Sequence, residues 1–262
     1  MIFDTHAHYD DEKFDEDREE LLASLAGAGI GAVMNVAASL KSCETTLKLA
    51  KQYRWMYAAL GIHPSESGGL READVDWLLS KCSRETAKVR AVGEIGLDYY
   101  WEEPAHDIQK KWFVRQLDLA RQLKLPVIIH SRDAAKDTLD IMKAEHSGDI
   151  GGVIHCFSYG KELAREYLNM GFFIGVGGVV TFQNARKLKE VVEYVPLEAI
   201  VLETDCPYLA PAPNRGKRNS SMNLPYVVDM ISQLKGMDRQ EVERVTWENG
   251  MRLYGISSAG AV

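Results

Sequence analysis

The chain has 262 residues, 46% of them hydrophobic, and a formal net charge of −7. That length holds one large barrel or one to two smaller domains; no run of about 18 apolar residues exists to span a membrane, and the acidic balance argues against a protein coated by nucleic acid along a basic face. The four cysteines (Cys43, Cys82, Cys156, Cys206) lack C-x-x-C spacing and read as reduced thiols, and the acidic stretch "DDEKFDEDREE" near the start, in place of a basic leader, predicts a cytoplasmic address.

The first element is the apolar run "MIFDTHAH" at 1–8. A helical stretch follows, "EELLASLAGAG", with Leu21, Leu22 and Leu25 on one side and Gly27 or Gly29 to stop it. Further apolar runs lie at 31–37, 56–63 and 89–98. "KKWFVRQLDLARQLKL" then places Trp112, Phe113, Leu117 and Ala120 on one stripe and ends before Pro126. Runs at 126–132 and 151–158 come next, then the helix "KELAREYLNMG" closed by Gly171, then runs at 172–178 and 199–205. Two more helices, "PYVVDMISQLKG" and "DRQEVERV", complete the pattern, with Asp238 and Glu241 as a capping pair. Several of the eight runs are nearly continuous in Val and Ile, as strands buried on both faces are. Eight strands alternating with helices predict one (β/α)8 TIM barrel over residues 1–262. The runner-up, an open doubly wound sheet, usually carries a glycine-rich phosphate loop after its first strand, and "DTHAHYD" is no such loop.

Barrels gather their functional groups at the carboxyl ends of the strands. The ends of the eight runs supply His6, His8, His63, Glu94, His130, His155 and Asp205. Five of the seven histidines fall there; His106 and His146 sit in or beside helical patterns. In a strand, His6 and His8 point to one face and can share a metal ion. Six nitrogen and oxygen donors exceed what a single catalytic zinc takes from protein. They suit two metals about 4 Å apart with a shared carboxylate. We assign His6, His8 and Asp205 to one metal, His130 and His155 to the other, and Glu94 to both. His63 lies beside the site. Cys156 and Cys206, each adjoining a proposed ligand, are expected to point away from it into packing.

The chain resembles the TatD-type metal-dependent hydrolases of the amidohydrolase-like barrels. The resemblance spans nearly the whole chain and rests on "DTHAHYD" at 4–10, "GIHPSE" at 61–66, "GEIGLDYY" at 93–100, "PVIIHSRDA" at 126–134, "HCFSYG" at 155–160, "LETDCPYLAP" at 202–211 and "RGKRN" at 215–219. It implies the same six metal ligands and a deoxyribonuclease, often a 3′-5′ exonuclease favouring single strands. The chain departs from the pattern after "RGKRN", where "SSMNLPYV" replaces an acidic residue followed directly by proline, in a loop expected to bear on substrate contact.

Two divalent cations (Zn, Mn or Mg) can activate a water and steady a leaving oxygen. Asp205 is positioned to take a proton from that water, and Glu94 bridges. Glu203, on the same strand face as Asp205, either serves the reaction by orienting a ligand or receiving protons, or pairs structurally with Arg132. The loaded site is cationic on an acidic protein. Arg132, two residues beyond His130, and Arg215, Lys217 and Arg218, just after the last strand, are candidate phosphate contacts. A small cationic pocket without a long basic face suits the end of a DNA strand better than a duplex. The competing expectation keeps the metals and changes the bond, to deacylation such as removal of a D-amino acid from tRNA; a metal-bound scaffold without turnover is disfavoured by the intact ligand set. No membrane or obligate protein partner is expected.

Overall fold

The protein is described here from a computed structural model, over residues 1–257. Its elements in chain order are β1 (Ile2–Ala7), α1 (Arg18–Ser24), β2 (Ile30–Val36), α2 (Leu40–Gln52), β3 (Met56–Leu60), α3 (Glu72–Arg84), β4 (Val89–Asp98), α4 (His106–Leu123), β5 (Val127–Arg132), α5 (Ala135–Ala144), β6 (Gly152–Ile154), α6 (Lys161–Asn169), β7 (Phe173–Val176), α7 (Arg186–Tyr194), β8 (Ile200–Leu202), α8 (Leu224–Lys235) and α9 (Arg239–Leu253). The strands pair in parallel with their sequence neighbours from β1 to β8. The circle closes where Ala7 bridges Cys206, His8 N–H donates to the Cys206 carbonyl at 2.9 Å, and the Thr5 hydroxyl donates to the Leu202 carbonyl at 2.8 Å. This is the (β/α)8 barrel expected from the alternation of runs and helices. Among the described residues, no helix is long and apolar enough to cross a membrane.

The buried residues form two clusters, one on each side of the strand wall. Phe3, Met34, Tyr57, Ile128, Val153 and Val201 belong to the inner one, where Ala32, Ala59 and Ala91 leave them room. Strand alternation continues the same faces to the site: Ile128 leads to His130, Val153 to His155 and Val201 to Glu203. The outer cluster carries Val33, Ile129, Ile154, Ile174 and Leu202 against the helices.

Several strands are shorter than the apolar runs that encode them, β6 and β8 most of all. β6 stops at Ile154 and β8 at Leu202, and both chains then turn out of the ladder. Cys156 and Asp205 take positive φ angles of 45° and 56°, a left-handed conformation that ends strand pairing. The stripe expected from residue 110 begins a turn earlier, at His106. Gly29, at φ 80°, is the stop behind α1, after a short 3-10 turn. Asp238 caps α9 through the Gln240 N–H at 2.7 Å, whereas Glu241 is drawn to the Arg244 guanidinium on its own exposed face and leaves the capping pair unformed. The unusual "SSMN" stretch also differs from expectation. Ser221 is buried, donates to Asp4 Oδ2 at 2.6 Å and offers its N–H to Tyr9 Oη at 2.9 Å. It clamps β1 from behind, where a loop side chain in contact with substrate was expected.

Backbone approach sets the spacing beneath the site. A Cβ on Gly61 would lie 2.7–2.8 Å from the backbone of Gly93, the residue that precedes Glu94. We expect Gly61→Ala to destabilise the protein by about 1–3 kcal/mol through overpacking, read as a lowered urea midpoint. Gly27→Ala, with nothing within 4 Å of the added carbon, is expected to change stability by less than about 0.5 kcal/mol. Equal midpoints for the two variants would contradict the close approach.

Candidate metal centre

The carboxyl end of β1 delivers His6 and the residue after the strand delivers His8. Their Nε2 atoms lie 3.1 Å apart. The His8 Nδ1–H is committed to the Val36 carbonyl at 2.7 Å, which turns Nε2 inward as the atom that a metal would take. Glu94 Oε2 approaches His6 Nε2 at 3.3 Å and His8 Nε2 at 3.8 Å; Asp205 Oδ1 approaches them at 3.8 and 3.2 Å. Ligands held about 2.0–2.2 Å from a four-coordinate ion lie about 3.3–3.6 Å from one another. Four donors of the right kinds therefore surround one point, at 3.1–3.8 Å from one another, distances that straddle that spacing.

The other oxygen of Glu94 faces a second group. Glu94 Oε1 is 2.8 Å from His130 Nδ1 and 3.4 Å from His155 Nε2. Both imidazoles are held from behind by carboxylates. His130 Nε2 meets Asp98 Oδ2 at 3.1 Å, and His155 Nδ1 meets Glu203 Oε2 at 3.3 Å. Such partners fix the tautomer that presents the opposite nitrogen to a metal. Glu203 also accepts the Cys156 N–H at 2.5 Å, and its carboxylate occupies the space a Cβ at Gly175 would need. Glu203 lies against His155 and the Cys156 N–H, while Arg132 sits over the Tyr100 ring instead. Asp98 was missed. It closes the same strand as Glu94, four residues on, and that spacing was its only signal. Its Oδ1 is fixed by the Tyr100 N–H at 2.9 Å, and its backbone by Gln109.

Burial opposes charge throughout the pocket, and at Glu94, Asp205, His8 and His155 the neighbours overrule it. Burial would raise Glu94, yet His155, His6 and His130 hold it well below the usual carboxylate range. Asp205 is likewise lowered against burial, by the His8 hydrogen bond and by His155. Burial lowers His6. His8 is pushed up to about 9 despite burial, chiefly by Asp205, and His155 up to about 10 by Glu203 and Glu94. These donors fit divalent cations: carboxylates that stay ionised, and imidazoles whose protons an ion would replace.

Cys206 is buried away from the centre, as expected. Cys156 corrects the sequence reading. Its Sγ lies within 4.8 Å of donor atoms of His155 and Asp205. The left-handed turn at this residue breaks the alternation that would have sent the thiol into packing. Burial raises that thiol well above its usual range.

The centre opens into a cleft of about 720 Å³. His63 lines it, with Nε2 4.0 Å from Glu94 Oε1. Its Nδ1 accepts the Ser65 N–H at 3.2 Å, so Nε2 carries the proton and points toward the centre as a donor. Burial holds the ring down to about 4, so it is neutral. Arg132 lines the cleft too, its guanidinium 3.7 Å above the Tyr100 ring. Arg215, Lys217 and Arg218 do not line it. Arg218 is bound to Asp17 and to the Lys13 carbonyl at 2.7 Å, and Arg215 stacks on Phe182 at 4.4 Å.

Residues 3–255 match the TatD related DNase family. The chain is 40% identical to an uncharacterized metal-dependent hydrolase, YabD of Bacillus subtilis, over 98% of this chain and 100% of that one. It is 36% identical to the metal-dependent hydrolase YcfH of Escherichia coli over 99% and 97%. Its structure superposes on that of YJJV, a TatD homologue from E. coli, with a TM-score of 0.92 at 32% identity and 98% coverage of both chains. The donor geometry and these likenesses agree, and the chain belongs to the TatD family of metal-dependent hydrolases.

Proposed function

We propose that the protein is a deoxyribonuclease that hydrolyses phosphodiester bonds at the end of a DNA strand, with two divalent cations in the centre. The observation that carries the reading is the division of Glu94: one carboxylate oxygen faces His6 and His8, the other His130 and His155. Two cations held there would supply Lewis acidity toward a phosphoryl oxygen and a water acidified for attack. The protein's own groups do the rest. Asp205, partly exposed to the cleft, accepts the proton of the attacking water. Neutral His63 donates Nε2–H to an oxygen of the substrate. Arg132, braced on Tyr100, grips a neighbouring phosphate. Asp98 and Glu203 keep the imidazoles aimed. Arg218 serves the fold through Asp17, so the phosphate grip falls to Arg132 rather than to the 215–218 cluster.

End-labelled single-stranded DNA incubated with metal-loaded protein is expected to shorten stepwise from its 3′ end. Loss of the ester of an aminoacyl-tRNA with the nucleic acid intact would instead establish a deacylase. His130→Ala is expected to lower bound metal from two equivalents to one in elemental analysis, with the fold retained by circular dichroism; two equivalents in the variant would remove His130 from the ligand set. Asp98→Ala leaves the ligands in place and is expected to weaken the second metal by about 10- to 100-fold.

Metal loading should also release protons. Metal-free His8 and His155, raised to about 9 and about 10, are protonated at neutral pH and must become neutral to bind. Calorimetric titration with zinc at pH 7, in buffers of different ionisation enthalpy, is expected to show at least two protons leaving per chain, since His130 too is raised despite burial by Asp98 and Glu94, and affinity weakening as pH falls. A buffer-independent heat would count against imidazole ligation by these two residues.

A further inference from the structure

The mouth of the cleft carries exposed flat side chains, of which the chemistry above uses only Tyr100, as the brace of Arg132. Trp101 is 56% exposed and lines the cleft; Tyr100 beside it is 54% exposed. Their rings meet edge to face at 4.8 Å and 90°, and the Arg132 guanidinium covers the other ring at 3.7 Å. The group is tied to the metal centre through one carboxylate. Tyr100 N–H holds Asp98 Oδ1, and Asp98 Oδ2 holds His130. Across the cleft, Tyr208 is 45% exposed, with Lys13 Nζ 4.2 Å over its ring.

We propose that Trp101, backed by Tyr100 and Arg132, is a stacking platform that seats an unpaired nucleobase next to the scissile phosphate. The proposal rests on the phosphodiesterase reading. An exposed indole set against a tyrosine that carries a guanidinium presents a π-face and a positive charge together, which is what one nucleotide offers a partner for: a flat base and a phosphate. A paired base cannot reach the platform without leaving its stack, so the platform selects single strands. Charge selects the end of the strand. Asp10 and Asp11 line the same cleft and repel a continuing phosphate backbone, while the loaded centre attracts the one or two phosphates nearest it.

Oligo-dT and an abasic strand of equal length, added to metal-free protein, separate base from backbone. We expect dT to quench tryptophan emission and the abasic strand not to. The quench should vanish in Trp101→Ala; if it persists there, it belongs to another tryptophan and the platform is wrong. With metal-loaded protein, the wild type should favour dT over the abasic strand by about 5- to 150-fold in KM, the span of one stacked base. Trp101→Ala should lose that preference, and Trp101→Phe should regain most of it, which a misfolded variant would not. A Trp101→Ala protein with the wild-type preference overturns the proposal while leaving the nuclease reading intact. A wild type that cleaves neither strand overturns the nuclease reading, and the quench comparison then decides the platform by itself.

Discussion

Everything at the mouth of this barrel follows from the cost of burying ionised groups together. Glu94, Asp98 and Glu203 are each at most 3% exposed, and His6 and His155 at most 4%. Removing a carboxylate from water costs several kcal/mol even after relaxation. Ordinary ion pairs would offset part of that, with each proton placed between two partners. Here the inward atoms meet differently. The Nε2 atoms of His6 and His8 face each other at 3.1 Å, and the oxygens of Glu94 and Asp205 crowd the same point. Lone pairs converging on a common centre are stabilised by a cation placed there, and a shared proton satisfies only two of them at a time.

The fold keeps those lone pairs from turning away. Val36, Asp98 and Glu203 each hold one imidazole from the side opposite the centre. A buried polar network then fixes the strand that carries His6. Asp4 accepts from Thr204 N–H at 3.0 Å, from the Thr204 hydroxyl at 2.7 Å and from Ser221 at 2.6 Å. Asn35 holds the Tyr9 N–H at 2.6 Å and donates to Asp10 and Thr46. The Asp4 contacts join β1 to residues about 200 positions later, at the seam where the barrel closes, while those of Asn35 tie the turn after β1 to β2 and α2. The seam and the site are the same place, so loss of the seam would separate Asp205 from His6.

Much of this was legible in the sequence because two periodic signals coincide. Apolar runs mark the strands, and histidines collect at their ends, so the barrel and the candidate metal ligands read together. What escaped has particular causes. Asp98 resembles any acidic residue after a strand; only its spacing from Glu94 connects it to the site. Cys156 was placed by strand alternation, which fails where the backbone turns left-handed. The basic residues at 215–218 follow the last strand, as a phosphate site would, but a charge does not name its partner. Asp17, 201 residues from Arg218, claims that guanidinium. Long-range pairings of exposed charges leave no periodic trace.

The opposition between an acidic protein and the DNA substrate proposed for it also finds its place in this geometry. A net charge of −7 repels DNA at a distance, but salt screens that field within about 8–10 Å. Inside the cleft, two divalent cations would outweigh the carboxylates that hold them, and Arg132 adds a positive charge beside them. Attraction then centres on the cations and Arg132, while Asp10 and Asp11 line one part of the way in. A duplex, which needs contact along many phosphates, gains little from such a field. A strand end gains from the floor without lying along the walls. Local cations and a repulsive surface thus favour short, terminal contacts over long ones.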